Sequence, residues 1–237
     1  MVTGGSRGIG AATAVLAARR GYPVCVAYRS RDDAARQVVD ACKATGGDAL
    51  AVRADVSVEA DVVALFEAAG SLGPLHGLVN NAGVVDRHAR LADMTAGRVE
   101  RMLRVNTLGA ILCAREAVRR MSAGAAIVNV SSRAAVLGGA DTYVDYAASK
   151  AAVEALTVGL AREVAADGIR VNCIRPGLID TDIHASGGVP DRVERMAPTV
   201  PMRRAGTPEE IANAIVWLLS DEASYVTGAV LDVSGGR

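Results

Sequence analysis

Short β-branched runs alternate with small-residue segments of helical period along the whole chain, and this alternation limits the possible folds more than any single motif. The runs PVCVAY (23–28), ALAVRADV (49–56), HGLVNN (76–81), AAIVNVS (125–131), IRVNCIR (169–175) and GAVLDVS (228–234) read as strands. Helices are expected after Ser6 and over about 33–44, 59–69, 96–121, 145–166 and 208–219. Parallel strands need crossovers, and right-handed crossovers put helices on both faces of one sheet. The expected fold is therefore α/β, a doubly wound parallel sheet of about seven strands. At 237 residues, with no linker or repeat, the chain reads as one domain over 1–237. Met1-Val2-Thr3 is short for the central first strand that the following glycines require, so a trimmed N-terminus is expected.

Charge and cysteine usage narrow the setting. Lys plus Arg and Asp plus Glu both number 26, which leaves no electrostatic footprint for nucleic acid or an anionic membrane. No apolar run is long enough to cross a bilayer, and no cleavable signal is visible. Cys25, Cys42, Cys113 and Cys173 show no CxxC spacing, so neither zinc nor a disulfide framework is indicated. Cys25 and Cys173 lie in apolar runs and read as small buried residues. A reducing cytoplasm fits this pattern. His76, His88 and His184 are scattered, and no metal site is expected.

The segment GGSRGIG (4–10) follows the first strand and opens the helix AATAVLAARR. Gly4, Gly8 and Gly10 suit a tight turn that lets a pyrophosphate approach the backbone at a helix N-terminus, as in Rossmann-type dinucleotide sites. Three glycines alone are a weak signal, since many strand-to-helix turns are glycine-rich. Where NAD sites carry an acid on the second strand, this chain has Tyr28-Arg29-Ser30-Arg31, with Asp32 only afterwards. An arginine fork suits a 2′-phosphate. NADP(H) is thus favoured over NAD(H), with Arg7 and Arg29 as phosphate ligands; the plainer alternative is two solvated surface arginines.

Taken together, these residues resemble the classical short-chain dehydrogenase/reductase family along the whole chain. TGGSRGIG (3–10) resembles its cofactor loop, ADV (54–56) its adenine contact, NNAG (80–83) a hallmark supporting the central sheet, and VTGAVLDVSGG (226–236) its closing segment. The segments RVN (104–106), VNVSS (128–132), YAASK (146–150) and IRPG (174–177) fall in the family's order. The resemblance implies catalytic Asn106, Ser132, Tyr146 and Lys150. It implies cofactor contacts from Gly4, Ser6, Arg7, Gly8, Ile9, Gly10, Arg29, Ser30, Asp55, Val56, Asn81, Ala82, Gly83, Tyr146, Lys150, Pro176, Gly177, Ile179 and Thr181. Ser132 lies 14 positions before Tyr146, one more than the family's common spacing, which would fall on Arg133. An extra residue in the loop around Gly138-Gly139 would absorb the difference; Ser131 is the other candidate. Tyr143 imitates the catalytic tyrosine but has Ala147, not lysine, one turn on. The segment from Ser132 to Tyr146 and the run HASGG resemble a bacterial branch near glucose dehydrogenase-like and 3-oxoacyl-acyl-carrier-protein reductase-like enzymes.

Tyr146 and Lys150 are one helical turn apart and share a face. By itself such a pair is worth a few tenths of a kcal/mol on a half-exposed helix. In the family's chemistry the tyrosine moves the proton, and its ordinary pKa of about 10 must fall for work near neutrality. Lys150 is expected to lower it by charge and, as the resemblance implies, to hold the nicotinamide ribose. Ser132 would bind the substrate oxygen, and Asn106 would tie Lys150 to solvent through a water. The substrate is expected to be a small carbonyl or secondary alcohol. It would be chosen by a lid over about 182–206, with His184 read as solvated and Arg133, Asp141 and Asp145 near the pocket mouth. The resemblance further implies a homotetramer through the helices at 96–121 and 145–166. Two other function classes are an epimerase or dehydratase that cycles hydride internally and a non-catalytic NADP sensor; the proton-transfer residues count against the latter.

Overall fold

The computed structural model describes residues 1–183 and 187–237. Seven parallel strands form one sheet: β1 (Val2–Thr3), β2 (Val24–Tyr28), β3 (Ala49–Arg53), β4 (Gly77–Asn80), β5 (Ala126–Val130), β6 (Arg170–Pro176) and β7 (Val230–Val233). Their order is β3-β2-β1-β4-β5-β6-β7. After β3 the chain crosses to the other side of β1, so β1 and β4 flank the switch point where a crevice opens at the carboxyl ends of the strands. β1 has only two residues, yet it sits centrally: Val2 pairs with both Val26 and Val79.

The apolar runs are continuous because both sheet faces are covered. Val26, Val79, Val128 and Ile174 face one cluster, with helices α1 (Gly8–Arg19) and α2 (Asp32–Lys43) and a C-terminal helix over Pro208–Leu219. Cys25, Leu78, Ile127 and Val171 alternate to the other face, under α3 (Glu59–Ala69) and the helical stretch after residue 95. All four cysteines are free and buried. The helix Pro208–Leu219 starts on a capping box: Thr207 accepts from Glu210 N, and Glu210 accepts from Thr207 N at 2.9 Å. Among the described residues no helix is long and apolar enough to cross a membrane, and no cluster of three His, Cys, Asp or Glu could hold a metal.

Two local departures from the sequence expectations matter for the site. The stretch 96–121 is not one regular helix: α4 (Ala96–Leu103) passes through a π turn (Arg104–Leu108) into α5 (Gly109–Val118). Inside that turn the Asn106 amide reaches the loop after β4, accepting from Val84 N at 2.8 Å and donating to Val84 O at 3.0 Å. These tertiary bonds compete with a regular helical ladder. The third strand stops at Arg53, three residues short of the expected end. Asp55 ends it with an Asx-type turn, accepting from both Ser57 N (3.0 Å) and Ser57 Oγ (2.7 Å). Further on, α6 (Ala134–Leu137) precedes α7 (Val144–Val164), and α8 (Arg192–Met196) lies in the segment expected to form the lid. The helix Pro208–Leu219 is α9.

Candidate active site

The glycine loop is shaped by contacts that admit no side chain. Gly4 and Gly8 have φ of +61° and +53°. A Cβ on Gly10 would lie 2.5 Å from Gly4 O and 2.5 Å from Asn81 Nδ2. That amide of Asn81 donates to Thr3 O (2.9 Å) and Gly4 O (3.1 Å), fixing the loop to the end of β4. Its neighbour Asn80 donates to Asn129 Oδ1 at 3.0 Å and Ala110 O at 3.1 Å, and Asn129 donates to Thr157 at 2.9 Å. The asparagine pair thus braces β4 against β5, α5 and α7. The first turn of α1 has neither a side-chain cap nor an acidic residue, so its free N–H groups suit an anion.

A cleft of about 250 Å³ takes in Gly4, Ser6, Arg7, Gly8 and Ile9 of this loop, Arg29 and Ser30 after β2, Asp55 and Val56 after β3, and Asn81, Ala82 and Gly83 after β4. Gly10 lies beneath it as packing. Arg31, Val84, Val105 and Asp182 also line the cleft and were not expected there. Arg7, Arg29 and Arg31 surround its outer end. Their carboxylate partners are distant: Arg29 to Asp55, and Arg7 and Arg31 both to Asp182, each at 3.8 Å. Arg7 Nη1 is buried without a hydrogen-bond partner among the described residues. A guanidinium nitrogen without a hydrogen bond beside an open helix N-terminus fits a phosphate-bearing dinucleotide.

A second cleft of about 530 Å³ shares Ile9, Asn81, Gly83, Thr181 and Ile183 with the first, so the two form one groove. Ser132, Tyr146, Lys150, Pro176, Gly177 and Ile179 line this part. The two candidate serines are separated by their partners. Ser131 also lines the groove but is buried and donates to Glu154 Oε1 at 2.7 Å. Ser132 lies near enough to the Tyr146 phenol to favour its ionised form and accepts from Ala134 N at 3.1 Å. Gly138, Gly139 and Asp141 all take left-handed backbone (φ of 79°, 61° and 56°), so the loop that absorbs the extra residue is strongly turned.

Lys150 is buried and donates to Val130 O at 2.8 Å, with its ammonium 5.8 Å from the Tyr146 ring centroid. Burial lowers its pKa to about 8. The expected lowering of the Tyr146 pKa is not found. Burial pushes the phenol up to about 12, and the nearby Ser132 hydroxyl offsets only part of this. The lysine ammonium gives one of its three N–H groups to Val130 O and lies 5.8 Å from the ring centroid, and desolvation of the phenolate sets the direction of the shift. Asn106 lines neither part of the groove. It is buried behind, with its amide also donating to Ser149 Oγ at 3.0 Å. A Cβ on Gly83 would sit 3.3 Å from Lys150 Nζ and 3.4 Å from Asn106 Oδ1, so Asn106 and Lys150 meet around that glycine without a direct bond.

The wall beyond Tyr146 holds residues the sequence left unassigned. Tyr143 meets Tyr146 edge-on, with ring centroids 5.6 Å apart, and His88 from another side, also at 5.6 Å. Arg192 of α8 lies 5.3 Å from the Tyr143 ring centroid and donates to Tyr143 Oη at 2.6 Å. Of the other residues expected near the mouth, Arg133 lines the groove, whereas Asp141 and Asp145 do not. Asp141 pairs with Arg90 outside, and Asp145 is buried against Arg98 at 2.8 Å. His184 lies outside the described residues.

A glycine-loop crevice at the switch point, continuous with a Ser-Tyr-Lys cluster, defines an NAD(P)-dependent oxidoreductase. The chain belongs to the short-chain dehydrogenase/reductase family: the family described as Enoyl-(Acyl carrier protein) reductase matches residues 4–237. The uncharacterized oxidoreductase YgfF of Escherichia coli (strain K12) is 53% identical over 243 residues, covering 100% of this chain and 98% of that protein. The cis-4-hydroxycyclohexanecarboxylate dehydrogenase of Sinomonas cyclohexanicum is 44% identical, covering 100% and 94%. A Burkholderia cenocepacia J2315 short chain dehydrogenase in complex with NADP superposes with a TM-score of 0.93 at 33% identity, covering 99% of this chain and 95% of that one. A metagenomic blue fluorescent protein in complex with NADPH gives 0.92 at 36% identity, with the same coverage.

Proposed function

We propose that this oxidoreductase interconverts a carbonyl and a secondary alcohol and prefers NADP(H) to NAD(H). The arrangement that carries the reading is Tyr146, Ser132 and Lys150 lining one groove, with the Lys150 ammonium 5.8 Å from the Tyr146 ring centroid. NADPH, when bound, supplies hydride to the carbonyl carbon. Ser132 donates to the substrate oxygen and holds its developing charge. Tyr146 delivers the proton to that oxygen in reduction and removes it in oxidation. Lys150 steadies the resulting phenolate and orients the ribose. Asn106 acts from behind as a positioning residue, fixing the loop after β4. The glycine loop and the α1 N-terminus would hold the pyrophosphate, with Asp55 and Val56 at the adenine and Pro176, Gly177, Ile179 and Thr181 at the nicotinamide end.

The NADP preference rests on Arg7, Arg29 and Arg31 at the outer end of the groove. It is tested by titrating purified protein with NADPH and NADH. Tighter NADPH binding that falls about tenfold in Arg29→Ala, with NADH binding little changed, is expected for loss of a charge-assisted hydrogen bond. Equal binding of both cofactors by the wild type would refute it. Substrate selection belongs to the 182–206 segment, whose α8 closes the wall beyond Tyr143. A homotetramer is proposed on two exposed surfaces: Leu103, Leu108 and Ile111 around the π turn, and the small-residue stripe Ala148, Ala151, Ala155 and Gly159 on α7.

A further inference from the structure

The substrate end of the groove is electrostatically one-sided. Lys150, His88, Arg133, Arg192, Arg195 and Arg237 line it, and among the described lining residues there is no aspartate or glutamate. Composition does not produce this, because the chain carries equal numbers of acidic and basic residues. Two of these cations are already answered. Arg133 pairs with Asp232 at 2.5 Å and Arg195 with Asp191 at 3.6 Å, while Lys150, donating to Val130 O, belongs to the cluster around Tyr146. Arg192 differs. Its partners among the described residues are the Tyr143 hydroxyl and ring and, at 3.5 Å, the His88 ring nitrogen, none of them anionic.

A half-buried guanidinium on a cleft wall without a counter-charge is costly unless something supplies one. The His88 pKa is lowered, first by burial and then by Arg192, Arg98 and Arg195, which reflects the same positive surroundings. The local geometry also suits a planar anion. Arg192 has five N–H donors and spends one on Tyr143 Oη; that phenol, acting as acceptor, keeps its own proton to donate. Two ring contacts, of 5.3 and 5.6 Å, connect the guanidinium to the Tyr146 ring, so an anion held here lies within one small molecule's length of the reacting carbonyl.

We propose that Arg192 and Tyr143 form a carboxylate-binding subsite and that the substrate is a small oxo- or hydroxy-acid, with the carboxylate on Arg192 and the carbonyl or carbinol at Ser132 and Tyr146. This rests on the carbonyl–alcohol reading above. One guanidinium fork and one phenol match the two oxygens of a carboxylate. The arginine acts as an anchor, and the turn of α8 that carries it sets specificity.

The test uses NADP⁺-saturated protein, so that anion sites in the cofactor cleft are filled. Cyclohexanecarboxylate and cyclohexanecarboxamide are titrated calorimetrically against wild type, Arg192→Gln, Arg192→Lys and Tyr143→Phe. The acid is expected to bind about tenfold or more tighter than the amide, as for a charge-assisted bidentate contact. Arg192→Gln should abolish that ratio, Arg192→Lys should retain part of it, and Tyr143→Phe should reduce it. Equal binding of acid and amide by wild type would overturn the proposal, as would a ratio that survives in Arg192→Gln. Parallel NADPH oxidation with 4-oxocyclohexanecarboxylate and its methyl ester separates the two claims. Acid discrimination without turnover of any carbonyl would remove the redox reading and keep the anion subsite. Turnover without preference for the acid would do the reverse.

Discussion

At the scale of single residues, burial gives neighbouring hydroxyls different surroundings. The spacing before Tyr146 left Ser131 and Ser132 both open. The fold separates them, because Ser131 is held by Glu154 while Ser132 reaches Tyr146. Accordingly, Ser132→Ala should cost about 10²–10³ in kcat, the usual loss for one oxyanion donor, while Ser131→Ala should leave most of the rate; the reverse order in steady-state kinetics would reassign the role. The sequence could not reveal the Tyr146 environment, since helical spacing says nothing about desolvation. With its phenol pushed up to about 12, Tyr146 is protonated at neutral pH and ready to act as an acid. Lys150 is the group that titrates nearby. Burial lowers its pKa to about 8, so its cation is present below that pH and lost above it. The kcat/KM for reduction should therefore hold up to about pH 8 and decline beyond; a profile that rises through pH 8 to 10 would contradict this.

At the scale of elements, the alternating pattern foretold six of the seven strands and most helices, because periodicity of buried faces is a local property, while the two-residue β1 was implied only by the glycine loop after it. What it missed arises from long-range bonds. The π turn at Arg104–Leu108 is tied down by Asn106 to Val84, 22 residues earlier, and nothing in the helical period announces it. The strand after residue 53 is ended by the Asp55 turn, a side-chain effect within an otherwise β-like run. The glycine loop, in contrast, was legible because its requirement is steric. Gly10→Ala places a methyl 2.5 Å from the Gly4 carbonyl oxygen, backbone that cannot move aside cheaply. About 1–3 kcal/mol of stability should be lost, together with NADPH affinity. Thermal melts with and without NADPH measure both, and an unchanged melting temperature would contradict the packing described.

At the scale of the whole molecule, the doubly wound order brings the ends of β1, β2, β4, β5 and β6 to one edge, so segments far apart in sequence share a single groove. That convergence was expected from the topology. The occupants of its far wall, Tyr143, His88 and Arg192, were not, because side chains brought together from three separate segments carry no sequence spacing. The exposed Leu103, Leu108 and Ile111 and the small-residue face of α7 should be covered in solution. Sedimentation velocity is expected to give a tetramer, and Ile111→Glu should shift it to smaller species; a monomeric wild type would contradict the assembly. The most direct test of the catalytic account is NADPH oxidation against a panel of small carbonyl compounds by wild type and Tyr146→Phe. NADPH binding should be confirmed equal in both by fluorescence. The account predicts wild-type turnover of at least one carbonyl and a loss of about 10²–10⁴ in kcat for Tyr146→Phe, the range expected for removing a general acid. A Tyr146→Phe protein that binds NADPH and keeps full turnover would contradict it.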